Sequence, residues 1–262
     1  MPYLTVNEHR LFYTQQRGPE DKPALLLVHG AGGTHLDWPA ELRRLPNTAV
    51  YTLDLPGHGR SALPGYDTVT AYADSIADFL TSLPLNNVVV AGHSMGGAIA
   101  QELGLRHLPQ LVGLILIGSG ARLPVSPAIL DQALHDFDAA TAFVAQHEWA
   151  AHIPTAMRQL ALERLRQTAP AVLHADFVAC NTFDVRSKLA EINVPTLIIG
   201  GTEDKMTPLK FSQFMAEHIH DAQLITLSSA GHMMTLEQPT AVATAVQTFL
   251  ANLQGNSHDG DT

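Results

Sequence analysis

Continuous apolar runs recur along the chain, each ending in a glycine-rich or polar stretch and followed by a segment whose apolar residues return every three or four positions. Tyr3 to Val6 and Arg10 to Gln16 predict two strands joined at Asn7-Glu8. Pro23 precedes Ala24 to Val28, an unbroken apolar run of the kind buried on both faces of a parallel sheet. A short helix is expected from His35 through Leu42, then a strand from Thr48 to Leu53. Val69, Tyr72, Ala73, Ile76, Leu80 and Leu83 fall on one face of a helix. Val88 to Val90 opens the next strand, a helix-favouring segment follows Gly96, and Leu111 to Ile117 forms another strand. Strands alternating with helices, with apolar strand interiors, predict an α/β fold: a doubly wound, mostly parallel sheet covered on both faces.

The alternation stops between Leu123 and Arg186. Pro124 and Pro127 open a stretch rich in Ala, Leu and Gln, which Pro154 and Pro170 divide into three or four expected helices. Residues 122–186 therefore read as a helical cap inserted into a core made of 1–121 and 187–262. Alternation resumes with a strand from Val194 to Ile199, a helix from Leu209 to His218 and a strand from Gln223 to Leu227. A last helix is expected from Thr240 to Asn252, with Val242, Val246, Phe249, Leu250 and Leu253 as its buried stripe. Residues 254–262 are polar and are expected to form a flexible tail.

Composition narrows the function. A hydrophobic content of 46% over 262 residues, with 15% charged, supplies a sizeable core. The net charge of −10 argues against a nucleic-acid partner, which would require a basic surface. Cys180 is the sole cysteine, so no disulfide can form within the chain, and its apolar surroundings suit a packed side chain rather than a reactive thiol. The first residues lack a basic start followed by an apolar stretch, and no apolar run is long enough to span a bilayer. A cytoplasmic protein with no membrane partner is expected, and the oligomeric state is not legible. Fourteen histidines invite a metal, but no H-E-x-x-H or clustered Cys/His spacing supports one.

In an open parallel sheet the functional groups collect at the carboxyl ends of the strands. Gly92-His93-Ser94-Met95-Gly96 stands at one such end, between strand and helix. It has neither the Lys-Ser/Thr ending of a P-loop nor the spacing of a dinucleotide turn. A serine at such an apex is held in a strained backbone, so residues two positions away must lack bulk, and Gly92 and Gly96 meet that need. The same turn puts the Met95 N–H at a helix N-terminus, suited to developing negative charge. The glycine-rich loop His29-Gly30-Ala31-Gly32-Gly33 follows another strand and can offer a second N–H. Asp204 and His232 follow two later strands. A serine hydroxyl needs an imidazole to take its proton, and the imidazole needs a carboxylate to fix its tautomer. His232 is the base the pattern favours. Asp204 is the favoured acid, with the longer Glu203 as the alternative. His29, His58 and His93 read as loop-packing residues bonded to backbone.

These segments together resemble the α/β-hydrolase fold superfamily. The resemblance rests on His29-Gly30, Asp54-x-Pro-Gly-His-Gly-x-Ser61, Gly-His-Ser94-Met-Gly-Gly, Asp204 with Pro208, and Gly231-His232 with Glu237 and Pro239. It implies an eight-stranded sheet with an antiparallel second strand, Ser94–Asp204–His232 as a triad, and the Ala31 and Met95 N–H groups as the oxyanion hole. It also implies that Asp54 to Ser61 and Glu237 shape the site without reacting.

The expected activity is hydrolysis of carboxylic esters of small, largely apolar molecules through an acyl-enzyme, with no cofactor and no metal. Haloalkane dehalogenase and epoxide hydrolase relatives would carry Asp in place of Ser94. Hydroxynitrile lyases of this fold would carry lysine in place of Gly231. Carbon–carbon bond hydrolase, lactonase, amidase or perhydrolase chemistry on the same triad, and a non-catalytic small-molecule receptor, are the alternatives. Phe137, Phe143, Trp149, Met157, Leu173 and Phe177 of the cap, with Met206 and Met233, are candidates to line the substrate pocket. Arg158, Arg164 and Arg166 are expected to face water.

Overall fold

The structure, a computed structural model, describes residues 3–6 and 9–255. Its strands are β1 (Tyr3–Val6), β2 (His9–Gln16), β3 (Ala24–Val28), β4 (Val50–Leu53), β5 (Val88–His93), β6 (Leu111–Ile117), β7 (Thr196–Gly201) and β8 (Ala222–Leu227). They form one sheet in the order β1-β2-β4-β3-β5-β6-β7-β8. β2 runs antiparallel to both β1 and β4, and every later pairing is parallel. The sheet is thus mixed, with the parallel part where the apolar runs predicted it.

All five residues of β3 are buried, because alternate side chains enter cores on opposite faces. Leu26, Val28, Val88 and Val90 point into one layer with α2 (Val69–Thr81), α3 (Met95–Leu105) and α8 (Leu209–His218). Leu25, Leu27, Val89 and Ile115 point into the other, against α1 (Ala40–Arg43) and α10 (Pro239–Gly255). Gln254 and Gly255, expected in a tail, end α10; the rest of that tail lies outside the described residues. The Asn7-Glu8 turn lies outside them too.

Prolines moved several boundaries. The single helix expected from His35 to Leu42 is two short pieces. A 3-10 turn, His35–Asp37, is held by a Thr34–Asp37 capping box, then Trp38 is extended before Pro39, which disfavours a helical residue ahead of it. β7 begins after Pro195, which has no N–H to give to a ladder. α10 begins one residue early because Pro239 suits the first helical position.

Between β6 and β7 the chain contributes α4 (Pro127–His135), α5 (Phe137–His147), α6 (Thr155–Leu165) and α7 (Pro170–Thr182). Ile129, Ala133, Ala140, Val144, Leu173 and Phe177 form a small core among them. No residue of α6 is fully buried. Two short elements complete the chain: a 3-10 turn at Leu189–Glu191 and α9 (Met234–Glu237). Among the described residues, no helix is long and apolar enough to cross a membrane.

Candidate active site

Ser94 stands between β5 and α3 with φ 54° and ψ −119°, outside every comfortable region for a residue with a side chain. Such a conformation costs on the order of 1–3 kcal/mol and needs its surroundings to enforce it. The enforcement is visible. Ser94 N–H donates to Ile117 O at 3.0 Å, and the Ser119 hydroxyl donates to Ser94 O at 2.9 Å. A side chain on Gly92 would collide with Gly96 O, and one on Gly96 with Val28 O, so only glycine lets the turn close.

His232 and Asp204 come from the loops after β8 and β7. His232 Nδ1 lies 3.0 Å from Asp204 Oδ2 and 3.2 Å from Oδ1. With Nδ1–H donated to the carboxylate, Nε2 keeps the lone pair, which is the tautomer a general base requires. Asp204 is held by the Met206 and Thr207 N–H groups at 2.9 and 2.8 Å on Oδ1, and by the Thr207 hydroxyl at 2.7 Å on Oδ2. Burial pushes the Asp204 carboxyl up, but His232 and these donors outweigh it and leave the group below its ordinary value. Burial pushes the His232 imidazole down, and Asp204, with smaller help from Glu148 and Glu237, carries it above its ordinary value. Glu203, the other acid considered, is turned away and accepts from Ala151 N–H at 3.1 Å.

Ser94 and His232 line the same cavity. Among the described residues no hydrogen bond joins the Ser94 hydroxyl to the imidazole, a contact that commonly tightens only around substrate. A methyl group on Gly30 would lie 3.0 Å from Ser94 Cβ, so the His29–Gly33 loop runs against the serine. Among the described residues neither the Ala31 nor the Met95 N–H meets a protein acceptor.

The remaining motif residues build scaffold. Asp54 accepts from the His35 N–H and ring and from Arg60 N–H, and Ser61 links Asp54 O to Phe12 N–H. Glu237 accepts from Gly231 N–H at 2.8 Å, steadying the residue before His232. His93 Nε2 donates to His232 O at 2.9 Å; burial, then the neighbouring His232, pushes its pKa down to about 3. His29 is lowered to about 4 by burial and then by His58. His58 bonds to Pro56 O as expected of a packing histidine, but its other nitrogen meets Asp176 at 2.8 Å. No sequence pattern marked Asp176, an acidic residue in the middle of α7.

The cavity measures about 350 Å³ and is largely apolar. Trp149, Met157, Leu173, Phe177, Met206 and Met233 line it; Phe137 and Phe143 do not. Val144 is the α5 residue that faces the cavity. Phe143 is one helical step round from it, stands 39% exposed and stacks on His147. Phe137 lies two turns back on the same face as Val144, roughly 10 Å along the axis, and packs into the small α4–α7 core instead. Arg164 lines the cavity rather than facing water, Arg158 holds the Ala150, Ala151 and Ile153 carbonyls, and Arg166 pairs with Asp138 at 2.9 Å.

Two acids in the cavity wall were not foreseen. Burial pushes Asp37 up to about 6 and Glu148 up to about 7, against the 2.8 Å bond that Glu148 accepts from Trp149 Nε1. A carboxyl whose folded pKa is raised contributes stability that is complete below its unfolded pKa and is lost as pH climbs through the folded value. Glu148→Gln is therefore expected to gain up to about 3 kcal/mol relative to the parent between pH 5 and pH 8. Urea unfolding of both proteins at the two pH values measures this; a pH-independent difference would show that Glu148 titrates normally.

The chain matches the model of the alpha/beta hydrolase family over residues 25–245. It is 28% identical to 3-oxoadipate enol-lactonase 1 of Acinetobacter baylyi, covering 96% of this chain and 97% of that protein. It is 31% identical to the pimeloyl-[acyl-carrier protein] methyl ester esterase of Aromatoleum aromaticum, over 87% and 98% of the two chains. Among solved structures, a thermophilic esterase superposes with a TM-score of 0.86 at 30% identity, covering 96% of this chain and 97% of that one. Together the matched sequence, the sheet order and the strand-end loops make this chain a hydrolase belonging to the alpha/beta hydrolase family.

Proposed function

We propose that the protein hydrolyses carboxylic esters of small, largely apolar molecules, with Ser94 as nucleophile, His232 as general base and acid, and Asp204 as the carboxylate that orients His232. The observation that carries this reading is the convergence on one cavity of a strained serine and an imidazole whose Nδ1 is committed to a buried carboxylate. Ser94 Oγ attacks the ester carbonyl carbon while His232 Nε2 takes its proton. The Ala31 and Met95 N–H groups receive the oxyanion, whose charge develops only in the transition state, so their contribution appears in kcat. The imidazolium then protonates the departing alkoxide, leaving an acyl-serine. Water, deprotonated by the same nitrogen, attacks the acyl carbon and releases the acid and Ser94. Protein groups and water supply every proton and electron pair, so the cycle runs without cofactor or metal.

Cavity size and lining support compact apolar acyl groups. A cyclic ester is the second reading, favoured by the full-length likeness to a protein named as an enol-lactonase. In a lactone the leaving alcohol stays tethered to the acyl group, and the same steps open the ring.

Fluorophosphonate labelling tests the mechanism, and a panel of nitrophenyl esters and lactones tests the substrate. Label is expected on Ser94 alone. Folded protein that takes no label would overturn the reading in favour of a binding role.

A further inference from the structure

We propose that Asp176 of α7 is a positioning residue that sets the oxyanion loop, so that docking of the α4–α7 segment and completion of the oxyanion hole are one event. Gly32 follows Ala31 directly, and both of its backbone polar groups are held from the segment between β6 and β7. Its N–H donates to Asp176 Oδ2 at 2.8 Å, and its carbonyl accepts from the Thr168 hydroxyl at 2.8 Å. The two peptide planes that flank Gly32 are thus each pinned, which fixes the chain immediately after Ala31 and narrows the directions its N–H can take.

Asp176 is itself over-determined. It is fully buried, accepts from the Tyr72 hydroxyl at 2.6 Å on Oδ1, and meets His58 Nε2 at 2.8 Å on Oδ2. His58 Nδ1 faces Pro56 O at 2.9 Å, so both ring nitrogens face acceptors and the ring can donate to both as a cation. Burial opposes that cation, but Asp176 carries its pKa above the ordinary histidine value. One carboxyl group therefore ties α7 to α2, to the loop after β4 and to the loop after β3. Undocking the segment would leave Gly32 N–H without its partner and break a buried ion pair, both costly.

The geometry stands alone; its catalytic consequence rests on the ester-hydrolase reading. Three variants of the full chain separate the possibilities: Asp176→Asn, which keeps the volume; Thr168→Val, which deletes one hydroxyl; and Val246→Ala in the core under α10, a different core layer from the one that holds Tyr72 and meets Ala31. Amide hydrogen exchange of a peptide spanning residues 29–34, thermal melts, and kcat and KM on nitrophenyl butyrate are the readouts. Asp176→Asn is expected to speed exchange in that peptide and lower kcat about tenfold to a hundredfold, with KM changed less than about threefold. Thr168→Val is expected to do the same more weakly, about threefold to tenfold in kcat, and it carries the test if Asp176→Asn does not fold. Val246→Ala is expected to lower Tm while leaving exchange at 29–34 and kcat in place. Unchanged exchange in both network variants, or a kcat loss no larger than that of Val246→Ala, would overturn the proposal. If the parent shows no Ser94-dependent turnover, the ester reading fails, and the exchange data still decide whether Asp176 and Thr168 hold the loop.

Discussion

Ser94→Ala is expected to lower kcat on a short-chain nitrophenyl ester by about 10⁴-fold or more, since losing the nucleophile of a serine hydrolase removes covalent catalysis altogether. Steady-state turnover, with active-site titration of the parent to exclude a contaminating esterase, measures it. Essentially unchanged turnover would sink the serine mechanism. The same position offers a stability readout that activity cannot mimic. Alanine keeps a side chain at φ 54°, whereas glycine tolerates that conformation. Ser94→Gly is expected to be more stable than Ser94→Ala by about 1 kcal/mol in urea unfolding, with both equally inactive.

Asp204→Asn is expected to lower kcat by about 10⁴-fold, because an amide beside Nδ1 no longer selects the tautomer that leaves Nε2 able to accept a proton. The pH profile gives the sign independently. Protonated His232 cannot take the serine proton, so kcat/KM falls as pH drops through the imidazole pKa. Burial lowers that pKa and Asp204 more than restores it, so the acid limb of the parent belongs above the ordinary histidine value. Removing the carboxylate leaves burial dominant, and the limb of the residual activity moves to lower pH. A limb that stays in place would assign the titration to another group.

Much of this architecture can be read from residue order. Apolar runs such as Ala24–Val28 are buried on both faces, and that burial writes an unbroken pattern. The loops carrying Ser94, Asp204 and His232 were legible because turns with special backbone needs demand particular residues, above all glycine at 92 and 96. Thr207 was missed, although its place three residues after Asp204 suits a carboxylate that accepts N–H groups from the next turn. The cavity lining was the least legible part. On α5 the difference between Val144, which faces the cavity, and Phe143, which faces water, is a rotation of one residue, and α6 has no buried residue to betray its orientation. Asp176 and Glu148 escaped because a lone acid within a helix or just past its end normally faces solvent. Only tertiary packing shows these two enclosed.

The pairing of β6 directly with β7 has a consequence for how such a protein can change. Four helices leave the sheet and return to an adjacent strand, so their exit and re-entry points stay fixed whatever lies between. Lengthening that excursion costs little, about 0.6 kcal/mol for each doubling of a flexible loop. The excursion is thus an interchangeable part, open to replacement without disturbing the sheet edge that carries Ser94, Asp204 and His232. One condition limits the exchange. Any substitute, natural or grafted, has to bring its own acceptor to the point where Asp176 meets Gly32, or the transplant arrives with a new specificity and a misaligned anion trap.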